Sequence, residues 1–213
     1  MEKYLATEIK LENFERKDSF LQFFYKKRPF VSITTELEIT NLVKYSKKHK
    51  NLYALIGFVI LKAVNEIKEF KYRFENEKIV MYDKITTSFT DLKKDNNVGF
   101  LNVDFAENYT NFLSNFKKAR EEMLKAEGLL TYENQGQIWC SCVPWYKFSS
   151  MEVPYDDDYT IPQFVWGQYE LKKRKYFINM HIFVNHAFVD GFRIGKLINL
   201  FNEIQKNINM YLG

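Results

Sequence analysis

Apolar positions along this chain recur with two periods, and each period predicts a kind of element. From Leu52 to Ile67 the run LYALIGFVILKAVNEI is apolar almost all round, which predicts a helix buried on most of its surface. Asn108–Glu127 is apolar on one face only and predicts an amphipathic helix that stops at Gly128. Phe20, Phe23 and Phe24 keep helical spacing within Glu15–Lys27, with Pro29 just beyond. A last helix starts near Phe192 and lines up Ile194, Leu197, Ile198, Phe201 and Ile204. Strand signals fill the gaps. Phe30–Ile39 alternates and is rich in β-branched residues. Lys71–Leu92 predicts two short strands around a turn at Asn76, and Gln137–Phe148 a strand broken by Pro144. Pro162–Leu171 and Lys175–His186 predict a hairpin across Lys172–Arg174. Helices and strands alternate irregularly, so the expected class is α+β, a mixed β-sheet packed against helices. No repeat or Pro/Gly/Ser-rich linker divides the chain, which predicts one domain over residues 1–213.

The hairpin's second strand ends in the stretch INMHIFVNHAFVDGFRIGKL, where a strand gives way to a helix. On a strand, Ile178, Met180, Ile182, Val184 and His186 share one face, and Asn179, His181, Phe183 and Asn185 the other. His186 then stands at the far end of an apolar row, and Asp190 and Gly191 turn the chain into the helix. A partly desolvated imidazole keeps to its neutral form, as a general base requires. The spacing fits a plainer account equally well. Asp190 can be a helix N-cap and His186 a hydrogen-bonded core residue.

Composition narrows the function. Aromatic residues make up 17% of the chain, with 20 Phe and 14 Tyr, enough to fill a core or to line a pocket for a flat apolar ligand. The net charge of +4 falls short of the basic face of a nucleic-acid-binding protein, so no nucleic-acid partner is expected. The clusters Lys47–Lys50 and Glu170–Tyr176 read as solvated turns. Cys140 and Cys142 would point the same way on a strand, where a disulfide is awkward, so reduced thiols and a cytoplasmic location are expected. No metal is expected, because no zinc spacing occurs and the acidic run Tyr155–Tyr159 reads as a solvated turn. The start of the chain lacks a basic-then-apolar leader and no run approaches 18 apolar residues, so no membrane segment is expected.

The segment NHAFVDGF resembles the HHAxxDGF signature of chloramphenicol acetyltransferases. NFERKDSF is similar to that family's W-x-R-K/R-E-x-F segment, WCSCVPW to its S-x-x-P-W segment, and EFKYRF to a Glu-Phe-Arg stretch after its long buried helix. Order, spacing and length agree, so the resemblance covers essentially the whole chain. It implies a two-layer sandwich of the CoA-dependent acyltransferase type. It also implies acetyl-CoA as co-substrate and O-acetylation of chloramphenicol, an antibiotic-resistance activity. His186 falls on the catalytic histidine that takes the proton from the acceptor hydroxyl. Ser141 falls on the serine that donates to the oxyanion and borders the cofactor. Tyr169 falls on a cofactor-site tyrosine, and Asp190 on an aspartate whose structural ion-pair partner falls on Arg16. A homotrimer with its sites between subunits is implied as well. The strongly apolar GFVILKAV and MHIFVNHA segments would fit shared burial at such an interface.

The chain departs from the pattern in three places. Asn185 replaces a second histidine, Val165 a threonine that helps solvate the transition state, and Gln168 a lysine associated with the cofactor phosphates. Three alternatives stay open: a different hydroxylated aromatic acceptor, a non-catalytic binder of a hydrophobic ligand on the same scaffold, and a covalent mechanism through Cys140 or Cys142.

Overall fold

A computed structural model describes residues 4–49, 51–130, 135–156 and 159–212. In chain order these form β1 (Ala6–Ile9), α1 (Lys17–Phe23), β2 (Phe30–Glu38), α2 (Thr40–His49) and α3 (Leu52–Asn65). Then come β3 (Tyr72–Glu75), β4 (Lys78–Tyr82), β5 (Thr86–Leu92), β6 (Val98–Val103) and α4 (Tyr109–Lys125). The chain ends in β7 (Gln137–Val143), β8 (Gln163–Gly167), β9 (Glu170–Lys172), β10 (Lys175–Asn185), α5 (Gly191–Lys206) and α6 (Ile208–Leu212).

The large sheet runs β2-β10-β8-β7-β5-β6, with β9 also paired to β10. Strand β7 is parallel to both β5 and β8 and the other pairs are antiparallel, so the sheet is mixed, as the irregular alternation predicted. A small antiparallel sheet, β1-β4-β3, stands apart from it. Helix α3 is the centre of the second layer. It touches α2, α4 and α5 on one side and β5 and β7 on the other. From Ala54 to Leu61 every residue is buried, as an all-round apolar helix must be. Asn51 caps its start by accepting from Ala54 N at 3.0 Å. Gly57 marks the close approach to the sheet, because a Cβ there would run into the Phe89 ring.

Several predicted elements fall close to their expected bounds, among them β2, α3, α4 and the β8–β10 hairpin. The hairpin turns at Lys173 and Arg174, both with left-handed φ (46° and 65°), the conformation tight two-residue turns need. Other readings are corrected. Lys71–Leu92 holds three strands rather than two, and β1, α2 and β6 carried no prediction. Lys47, Lys48 and His49 are the exposed last turn of α2, where positive charge suits the helix dipole, rather than a free turn. Lys50 of that cluster, and Asp157 and Asp158 of the acidic run, lie outside the described residues. The apolar GFVILKAV and MHIFVNHA segments are already covered within one chain, so their composition gives no argument for a second copy.

Arg73 joins the two sheets. It is fully buried and donates to the carbonyls of Phe70, Tyr72, Gln135 and Gln137 at 2.6–2.9 Å. Burial holds its pKa down to about 10. Four backbone carbonyls in place of a carboxylate keep the charged form solvated from within.

Candidate active site

Strand β10 delivers His186 to a turn. Ile178, Met180, Ile182 and Val184 lie in the core, as the alternation required, but the strand ends at Asn185. His186 is therefore one residue beyond the strand, not the last member of its apolar row as the alternation placed it. Its backbone N–H still donates to Pro29 O at 2.7 Å, so the residue stays tethered beside the start of β2. The half-buried imidazole stacks on Phe23, with ring centroids 4.1 Å apart and planes 10° from parallel. Its Nδ1 is sealed from solvent and has no protein partner.

Asp190 is both of the things its position allowed. Its Oδ1 caps α5 by accepting from Arg193 N at 3.0 Å. Its Oδ2 accepts from Arg16 Nη1 at 3.2 Å and from Arg193 Nη1 at 3.0 Å. Arg193 Nε then donates to Glu69 Oε1 at 2.8 Å. Burial pushes the Asp190 carboxyl up, but the Arg193 N–H and the two guanidiniums together outweigh it and hold the group below the usual carboxylate range. Helix α1 works on the turn from both ends. Arg16, at its start, grips Asp190, and Phe23, at its end, stacks on His186. Arg193 and Glu69 were not foreseen. Only the three-residue spacing of Arg193 from Asp190, one turn of a capped helix, hinted at the first.

Ser141 sits on β7 in a row that crosses the sheet. Val165 on β8 faces Ser141 on one side and His181 on the other. The Ser141 hydroxyl is hydrogen-bonded to Thr90 Oγ1 at 2.6 Å, and Tyr53 donates to Thr90 O at 2.6 Å. Thr90 and Tyr53 lacked any sequence signal, because cross-strand pairing and helix packing bring them here from far upstream. Two adjoining cavities share Tyr53, Cys142 and Pro144. One, of 320 Å³, is lined by Ser141 and Thr90, and the other, of 400 Å³, by Trp166, Gln168 and Tyr169. The Tyr169 side chain is half exposed.

These residues bear on whether acetyl-CoA fits. The two cavities are mostly apolar and share part of their walls, and Ser141 lines one of them with a hydroxyl. No Lys or Arg lines either cavity, so the phosphates would have to find cations outside these walls. Gln168 supplies none where the resemblance implied a lysine. Cys140 and Cys142 are unpaired thiols, and burial pushes both up to about 12. So little thiolate exists near neutral pH that neither suits a covalent mechanism. Among the described residues no cluster of His, Cys, Asp or Glu is arranged to hold a metal ion, and no helix is long and apolar enough to cross a membrane.

One chain does not bring Ser141 and His186 together. His186 lies five residues beyond His181, and His181 is two strands from Ser141. At about 3.3 Å per residue and about 4.8 Å per strand, that is a separation of roughly 19 Å.

Architecture and comparison now point the same way. The fold is a mixed sheet backed by helices, with a histidine turn at the end of β10, the strand next to the sheet edge. It is shared by the truncated catalytic core of a 2-oxoacid dehydrogenase multienzyme complex from Thermoplasma acidophilum (TM-score 0.64, 10% identity, covering 89% of this chain and 92% of that one). A solved chloramphenicol acetyltransferase matches more fully, with a TM-score of 0.88 at 21% identity over 94% of this chain and 100% of that one. The chloramphenicol acetyltransferase family model matches residues 4–205, and the chain belongs to that family. A chloramphenicol acetyltransferase of Clostridium perfringens is 29% identical over 96% of this chain and 97% of its own length.

Proposed function

We propose that this protein is an acetyl-CoA-dependent O-acetyltransferase whose acceptor is the hydroxyl of chloramphenicol, and that it confers resistance to the drug. His186 acts as general base. It takes the acceptor's proton while the freed oxygen attacks the thioester carbonyl, and it returns that proton to the departing thiolate. Ser141 donates to the oxygen that gains charge at the carbonyl, a contribution of about 3 kcal/mol in a dry site. Asp190 and Arg16 hold the turn that carries the base, and Tyr169 flanks the co-substrate. The roughly 19 Å between Ser141 and His186 carries the second half of the reading. A site using both must take them from two copies, which a homotrimer with its sites between subunits provides. The cytoplasm, where acetyl-CoA and reduced thiols coexist, is the setting this chemistry suits.

The test is release of free CoA thiol by purified protein given acetyl-CoA, with and without chloramphenicol. Thiol release that depends on the drug is expected. Cys140 is buried and Cys142 partly so, and the reaction without drug reads whatever background these thiols add. Tight binding of the drug without any release would overturn the enzymatic reading in favour of a binding protein.

A further inference from the structure

Asn185 holds the last position of β10 and is 3% exposed. Its side chain is used at both ends. Oδ1 accepts from Ala187 N at 3.0 Å, and Nδ2 donates to Tyr159 O at 3.1 Å. Its own carbonyl accepts from Phe188 N at 3.1 Å and from Val189 N at 2.9 Å. His186 is thus enclosed. Its N–H goes to Pro29, the next N–H goes to the Asn185 side chain, and the two after that go to the Asn185 carbonyl.

We propose that Asn185 is a positioning residue for acetyl transfer, acting through the main chain of His186. The inference rests on His186 being the base. An asparagine side chain that accepts from the N–H two residues on closes a local turn, and that turn fixes the backbone angles of the residue between them. That residue is His186, so the direction in which its imidazole leaves the chain is set by Asn185. Ala187 is fully buried, so its N–H has no water to turn to if the amide is lost. The donor end adds a second tie, to the segment that precedes β8. The position thus needs one acceptor and one donor, which an amide supplies and a carboxylate does not. A small error in the angle of a base is costly, because misplacement by about 1 Å can lower a rate about a hundredfold.

The discriminating pair is Asn185→Thr and Asn185→Val. They have the same shape and both lose the tie to Tyr159, but only threonine keeps an oxygen able to accept from Ala187 N–H. Both should melt lower than wild type. Turnover at saturating substrates should fall roughly ten- to a hundredfold in Asn185→Val, and Asn185→Thr should recover most of that loss. KM for acetyl-CoA should hardly move in either. Equal kcat in the two variants, or a loss that appears in KM alone, would overturn the inference. Should Asn185→Val fail to fold, Asn185→Ala against Asn185→Ser reads the same difference. His186→Ala, assayed alongside, separates the two levels of the argument. If it keeps near-normal turnover, the base assignment itself is wrong. If it is inactive while Asn185→Val matches wild type, only the positioning role is lost.

Discussion

At the scale of single residues, one carboxylate carries an unusual share of the design. Asp190 caps α5, pairs with Arg16 and pairs with Arg193, while Arg193 neutralises Glu69. Arg16 is 7% and Glu69 6% exposed, so each would be a stranded charge if its partner were removed. Asp190→Leu alone, which strands Arg16, should cost about 3–5 kcal/mol in denaturant unfolding, Arg16→Leu less because Arg193 still pairs with Asp190, and the double variant less than the sum of the two. Strict additivity would mean that the pair does not interact. Because the Asp190 carboxyl sits below the ordinary range, this contribution is present at neutral pH and fades only as the pH falls through that lowered pKa. Histidine, serine, aspartate and arginine were all legible as types at positions. Their partners were not. Thr90 lies 51 residues before Ser141 and Glu69 lies 124 residues before Arg193, and no local pattern encodes such a meeting.

At the scale of elements, the readable ones were those whose burial imposes a period. Helix α3, the β2 alternation and the late hairpin announce themselves because each must hide a face. Helix α2 was missed because its basic last turn obscured a short apolar stripe at Leu42 and Val43, and β6 because Val98 and Phe100 on its more open face mask the alternation that its burial follows. Strand β10 also holds a group whose environment sequence cannot give. His181 is 1% exposed, with Nδ1 3.2 Å from Thr34 Oγ1 and Nε2 sealed without a partner. Burial lowers its pKa below the ordinary histidine value. The folded chain therefore resists a proton that the unfolded chain accepts. The associated stability is fully present above about pH 6.5 and is lost as the pH falls through the depressed value, at about 1.4 kcal/mol per unit of depression. The melting temperature should drop between pH 7.5 and 5.5, and His181→Gln should flatten that drop. An unchanged slope would show that some other group titrates.

At the scale of the whole molecule, the family and the layered architecture were legible because four motifs kept their order along the chain. A site shared between copies came only as an implication of the resemblance, since spacing along a sequence says nothing about which copy supplies a side chain. Counted along and across the strands at ideal spacings, the two key residues stand roughly 19 Å apart in one chain. If His186 of one copy meets Ser141 of its neighbour, complementary defects should repair each other. His186→Ala protein keeps every Ser141, and Ser141→Ala protein keeps every His186. In a ring joined head to tail, each site takes one residue from either side of an interface. Random mixing of equal amounts, by co-expression or by refolding together, should then leave about one site in four with both groups intact. Activity should rise to about a quarter of wild type, well above that of either parent alone. Mixing the folded proteins without exchange of subunits should restore nothing, which controls for contamination. If mixed assemblies form, as a size difference introduced by a tag on one parent would reveal, and activity stays at the average of the two parents, then no site is shared between copies. His186 and Ser141 would then have to serve separate roles.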